Sequence, residues 1–350
     1  MKAAIFAGKE KFEVRELDRP HCGEGEVLVK VRACAICGSD LRIFHGSKSI
    51  DVPITGHEIS GTVEEVGKGV EGVSVGDRVV IETVVGCGEC DACRRGEENR
   101  CLNKYRAIGY QYNGAFAQFI LIPKEAVKQG NVIEVSDSIS FDEAAIVEPL
   151  SCVLNGWEPF KKRSEGFTTV VMGAGPIGML HSEYAKSLGS RVILVNRTAP
   201  RLRLAEKIGL SADVVVDASE CDLVERVIEL TDSVGANAVI CAASSKEIQE
   251  QALEMAAVDA DVSYFAGISK DDPLAMINTN LLHYKELHVH GANASNRRQY
   301  LAAVNLIASG KIGVKKIITH RFPLGKIDEA IRTAEDRSMN ALKVIVDPWM

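Results

Sequence analysis

The chain has 350 residues, 46% hydrophobic and 25% charged, with a net charge of −7 at neutral pH. That length predicts about two domains with separate cores. The acidic balance excludes a nucleic-acid footprint, which needs a basic face. No apolar run approaches the ~20 residues of a membrane-spanning helix. Residues 1–14 lack the apolar core of a signal peptide, so a cytoplasmic protein with ten unoxidised cysteines is expected.

Residues 1–145 read as β-rich. Runs such as Val27-Leu-Val-Lys-Val-Arg and Asp77-Arg-Val-Val-Ile gather branched residues between glycines. Three polar motifs interrupt or follow this pattern. Cys37 precedes Gly-Ser39-Asp40, His57 and Glu58 stand in Gly56-His-Glu-Ile-Ser-Gly61, and Glu148 stands in Val147-Glu-Pro-Leu. Cysteine, imidazole and carboxylate together can hold a catalytic zinc with one position open. Taken singly, each has a plainer reading as a buried thiol, a core histidine or a surface carboxylate.

The strongest motif is Cys87-x2-Cys90-x2-Cys93-x7-Cys101. Four thiolates in one glycine-rich loop can close a tetrahedral shell around a structural zinc. A disulfide framework does not suit a long chain without an export segment. Iron–sulfur proteins use other spacings.

From residue 146 the texture changes. Apolar strands such as Thr168-Thr-Val-Val-Met, Val192-Ile-Leu-Val, Asp213-Val-Val-Val, Ala238-Val-Ile and Val262-Ser-Tyr-Phe alternate with helical stretches. That alternation predicts an α/β doubly wound parallel sheet. Gly173-Ala-Gly175-Pro176-Ile177-Gly178 follows the first of these strands and opens a helix. In that context the glycines fit a dinucleotide pyrophosphate, which the helix N-terminus would receive.

The second strand ends Leu194-Val-Asn196-Arg197-Thr198, with no acid to hold a ribose 2′-hydroxyl. Asn196 is neutral, Arg197 offers a partner for a 2′-phosphate, and Arg201 adds a second cation one turn on. NADP is expected ahead of NAD. The alternative has Arg197 in solvent and Asn196 serving the ribose alone. A helix over 298–309, then Ile317-Ile-Thr-His-Arg-Phe and Val344-Ile-Val, are expected to rejoin the first domain.

These motifs, in this order and across essentially the whole chain, resemble the zinc-dependent medium-chain dehydrogenase family. Gly56-His57-Glu58-x2-Gly61-x5-Gly67-x2-Val70 matches its zinc signature, and Gly76-Asp-Arg-Val falls in the family's order. Glu148-Pro-Leu is similar to the sorbitol (L-iditol) dehydrogenase branch. The resemblance implies a GroES-like catalytic domain over residues 1–145, completed by 296–350, with a Rossmann domain over 146–295. It implies two zinc ions per chain, a dinucleotide, and a homodimer or homotetramer. It carries over Cys37, His57 and either Glu58 or Glu148 as ligands of the catalytic zinc. Ser39 carries over as the hydroxyl that receives the substrate proton.

The implied reaction is reversible oxidation of a secondary hydroxyl on a polyol or sugar derivative. An alcohol dehydrogenase for small apolar alcohols competes with it, as does a non-catalytic NADP-binding protein on the same fold. Two features depart from the family. Arg42 stands where a proton-relaying histidine is common, and His45 follows three residues later. The stretch Gly291-Ala-Asn293-Ala-Ser-Asn-Arg297-Arg298 takes the place of one that carries a substrate arginine. Arg42, Asn293 and the arginines after it are expected to offer polar groups to the substrate, unless Arg42 only pairs with Asp40.

Overall fold

The computed structural model describes residues 1–103, 105–161 and 166–350. Its contacts form two units: Met1–Ser151 with Ala294–Met350, and Cys152–Asn293. The first border thus falls six residues beyond the expected 145/146, because one helix, Val147–Trp157, runs through it. Pro149 does not break that helix, since it lies in the first turn, where no N–H is required. The second border falls two residues earlier than expected.

The first unit is built on a seven-stranded sheet. Its central strand, Val27–Ala35, is buried at almost every position and pairs antiparallel with Glu58–Val66, Phe119–Ile122 and Lys343–Asp347. Its sequence is apolar except at Lys30, which is half-buried, and Arg32, which is exposed. The C-terminal strand therefore does rejoin this unit, with Ile345 opposite Ala35 and Val346 opposite Cys34.

Register positions the polar motifs. Ala35 pairs with Glu58, so the loop bearing Cys37 and the residues His57 and Glu58 emerge at one end of the sheet. Gly56 sits there at φ +91°, and a Cβ would lie 2.8 Å from Cys34 Sγ and 2.9 Å from the Phe116 ring. Only glycine fits both the backbone angle and the space.

The second unit is a six-stranded sheet in which every pair is parallel. The strand order is Val214–Asp217, Arg191–Asn196, Thr168–Met172, Ala236–Cys241, Ala256–Tyr264, His288–Gly291. Succession runs outward on both sides of Thr168–Met172, so the topological switch lies at the end of that strand. The edge strand His288–Gly291 was not expected from its short, half-polar sequence. Among the described residues, no helix is long and apolar enough to cross a membrane.

His181 is fully buried in the helix Pro176–Ser187, and its Nδ1 accepts a hydrogen bond from Trp157 Nε1 at 2.9 Å. Burial pushes its pKa down from 6.5 to about 3. The unfolded chain thus binds a proton near pH 6.5 that the folded chain refuses until about pH 3. Stability present above pH 6.5 is lost as pH falls through that window, by a few kcal/mol at most. His181→Gln keeps an acceptor for Trp157 and cannot titrate. Denaturant titrations from pH 7 to 4 should show a flatter loss of stability for His181→Gln than for the wild type.

Candidate active site and metal centres

Cys37 caps the helix Gly38–Phe44, and its N–H donates to Asp40 Oδ2 at 2.9 Å. Ser39, Asp40, Ile43 and Phe44 form the buried face of this helix. Arg42 is exposed, and among the described residues no ion pair involves it. No ion pair joins it to Asp40, so that pairing is corrected. His45 bonds Glu10 and Glu335 at the surface.

Cys37, His57 and Glu58 place one ligand atom each within 4.8 Å of one another. Glu58 is fully buried. Its Oε1 pairs with the Lys343 ammonium, which also donates to the Ile36 carbonyl at 3.3 Å. Its Oε2 is buried without a hydrogen-bond partner, as is His57 Nδ1. A soft thiolate, an imidazole and a carboxylate with a free oxygen form a donor set that fits zinc.

Electrostatics point the same way. Burial works against a charge on His57, but Asp40, Cys37 and Glu148 outweigh it and lift its pKa to about 10. The anionic neighbours thus demand a cation, which a proton supplies when no ion does. Asp40 Oδ1 lies 3.7 Å from His57 Nδ1, near enough to orient the ring. Glu148 is half-buried and stands outside the three-donor cluster, although its charge acts on His57, Tyr110 and Lys343.

Ser39 Oγ is buried, 3.5 Å from His57 Nε2 and 2.7 Å from the Tyr110 hydroxyl. Burial above all, then the Cys37 and Asp40 charges, push the Tyr110 phenol above its ordinary range, so it stays a neutral hydroxyl. Lys48 Nζ lies 3.9 Å above the Tyr110 ring centroid. Sequence reasoning missed Tyr110, Lys48 and Lys343. Tyr110 and Lys343 stand far from Cys37 and His57 in the chain, and Lys48 lies between those two in a stretch that no motif spacing marks.

The four lobe cysteines also bring their sulfurs within 4.8 Å of one another, and all are free thiols. Cys87–Cys93 and Cys90–Cys101 sulfurs lie 3.9 and 4.0 Å apart. A zinc–sulfur bond of about 2.3 Å gives a tetrahedron with edges of roughly 3.8 Å, so the set is the right size. Donation from the Glu89 and Cys90 N–H groups holds the Cys87 thiol down at about 6, whereas burial pushes Cys93 up to about 12.

In the second unit, a Cβ on Gly178 would lie 1.7 Å from the Gly173 carbonyl oxygen. Helix and loop can touch there only through glycine. A Cβ on Gly175 would meet nothing within 4 Å, which leaves room at the helix start. Pro176 and Ile177 form the first helical positions, with Gly175 as the cap. Asn196 Oδ1 accepts from Ala174 N–H at 3.2 Å, and its amide donates to Thr198. Arg197 is exposed, and Arg201 is half-buried and already engaged. In the first unit, Arg297 Nε donates to the Gly130 carbonyl at 3.1 Å, a structural role.

Two expectations follow. Metal analysis of protein grown with zinc should give two ions per chain. Brief chelation should remove one and abolish activity with the fold intact, because the mixed-donor set is less tightly closed than four thiolates. Reloading the stripped protein at pH 7 should release a proton from His57, visible with an indicator dye. Separately, Lys343→Met leaves Glu58 buried without its cation. Stability should fall by about 3–5 kcal/mol in denaturant titrations.

Two family descriptions match the chain: Alcohol dehydrogenase GroES-like domain over residues 23–133, and Zinc-binding dehydrogenase over residues 176–309. A sorbitol dehydrogenase of Halalkalibacterium halodurans is 31% identical over 357 aligned positions, covering 99% of each chain. A D-arabitol-phosphate dehydrogenase of Enterococcus avium is 33% identical, covering 97% of this chain and 95% of its own. A crystal structure from Sinorhizobium meliloti 1021, bound to NADP, superposes with a TM-score of 0.90 at 30% identity over 99% of each chain. GroES-like and doubly wound units, matched over the full length, identify the chain as a member of the zinc-dependent medium-chain dehydrogenase family, in its sorbitol dehydrogenase-like part.

Proposed function

We propose that the protein reversibly oxidises a secondary hydroxyl of a polyol or sugar derivative to the ketone, with NAD(P) as hydride acceptor. The observation that carries this reading is the buried cluster of Cys37, His57 and Glu58 with the Ser39 hydroxyl against its imidazole. Cys37, His57 and one glutamate, Glu58 or Glu148, would hold the catalytic zinc. Cys87, Cys90, Cys93 and Cys101 would hold the structural one. When bound, zinc supplies Lewis acidity that eases loss of the alcohol proton, and the nicotinamide takes the hydride. Ser39 accepts the proton and passes it toward solvent. Asp40 steers the His57 ring, and Lys343 balances Glu58.

Gly173, Gly175, Pro176, Ile177 and Gly178 would receive the pyrophosphate, with Asn196 at the ribose and Arg197 and Arg201 toward a 2′-phosphate. Relatives that act on sorbitol and on a polyol phosphate support a polar substrate. We also infer a homodimer or homotetramer in the cytoplasm, where the free cysteines stay reduced.

Cofactor choice should turn on Arg197. Arg197→Ala should weaken NADP binding by about 1–3 kcal/mol, the scale of a lost charge-assisted hydrogen bond, and leave NAD binding nearly unchanged. Equal losses for both dinucleotides in a fluorescence titration would remove Arg197 from the 2′-phosphate.

The substrate class is tested by kcat/KM for sorbitol, a polyol phosphate, a sugar acid, L-threonine and butan-2-ol, read from absorbance of the reduced cofactor. A polyol or sugar derivative should lead. Butan-2-ol equal to or better than all of them would favour a dehydrogenase of apolar alcohols. L-Threonine in first place would move the substrate to the hydroxy amino acids. No turnover of any member by zinc-replete protein would favour a binding protein.

A further inference from the structure

The Ser39 hydroxyl has one strong partner. Its 2.7 Å separation from the Tyr110 hydroxyl is a short O–H···O bond, while 3.5 Å to His57 Nε2 is the limit of one. Tyr110 is held on several sides. Its carbonyl accepts from Asp51 N–H at 2.9 Å, its ring centroid lies 5.2 Å from that of His57, and the Lys48 ammonium caps the ring. A serine O–H otherwise rotates freely about its Cβ–Oγ bond. To receive a proton, Oγ must offer a lone pair to the substrate and point its own O–H elsewhere. The phenolic oxygen, 2.7 Å away, can accept that O–H, whereas His57 Nε2 stands at 3.5 Å.

We propose that Tyr110 is a positioning residue for proton transfer: it accepts the Ser39 O–H, so that a lone pair of Oγ faces the substrate hydroxyl, and Lys48 holds the ring in that place. The inference rests on Ser39 being the proton acceptor. As Oγ gains the substrate proton it gives its own O–H proton to the Tyr110 oxygen, which releases its phenolic proton toward water, so both hydroxyls end neutral as they began. Misaimed Oγ slows the step in which the proton moves and leaves substrate binding largely alone.

Tyr110→Phe keeps the ring and removes the hydroxyl. With the fastest polyol of the panel, kcat should fall about tenfold to a hundredfold while KM stays within about twofold. The solvent deuterium isotope effect on kcat should rise, and the melting temperature should not move. In a Ser39→Ala background the same change should cost less than about twofold, because the hydroxyl it aims is gone. A full Tyr110→Phe loss in that background overturns the positioning role. So does a loss confined to KM, or an unchanged isotope effect. Wild-type turnover by Ser39→Ala overturns the reading of Ser39 itself, and is separable because it is measured without touching Tyr110.

Discussion

The buried pairing of Lys343 with Glu58 ties the two ends of the first unit together. Lys343 opens the strand that returns from the far end of the sequence and lies beside Val27–Ala35. Among the described residues it is the only buried lysine or arginine. Burial works against its charge, but Glu58, Cys37 and Glu148 hold its pKa above the ordinary lysine value. A lone buried ammonium or carboxylate would be costly, so neither partner is tolerable without the other. The C-terminal strand thus closes the sheet and at the same time makes a buried glutamate possible beside His57. Fold and site share one electrostatic constraint.

That constraint separates the two cysteine-bearing sites. The lobe at Cys87 is local: its four sulfurs come from fifteen consecutive residues, and backbone N–H groups already favour the Cys87 thiolate. It can form wherever the loop can turn. The Cys37 cluster draws on the capping position of a helix and on the start of the strand Glu58–Val66, brought together by the pairing of Ala35 with Glu58. A closed sulfur shell suits a structural ion. A shell of three unlike donors, one with a free oxygen, suits an ion whose remaining position is used.

What could be read from the sequence follows the same division. Local motifs were legible: the four cysteines, the glycine loop after Thr168–Met172, and the parallel strands, whose continuous apolar runs reflect burial on both faces. Long-range partners were not. Tyr110 and Ser39 stand 71 residues apart, and Lys343 and Glu58 stand 285 apart. A tyrosine after glycine and a lysine before a valine run carry no mark of what they will face. The border between the contact units falls within a helix, which carries no turn signal in the sequence. The edge strand was missed because its four residues include two half-buried histidines, bonded to Asp259 and Asp261.

Arg42 is the instructive case, because the information that separates it from Asp40 was local. Helical geometry puts residues one, four and five places after Ser39 near one face, and Asp40, Ile43 and Phe44 do share that face with it. A residue three places after Ser39 sits about 60° away on the side opposite Asp40, which turns Arg42 to solvent. Position relative to Cys37 was therefore a weaker guide than position on the helix. Lys48, from beyond the helix end, lies over the ring of Tyr110, whose hydroxyl bonds Ser39. A side chain's place in a family alignment says where its Cα goes; the period of the element it sits on decides what its charge can reach.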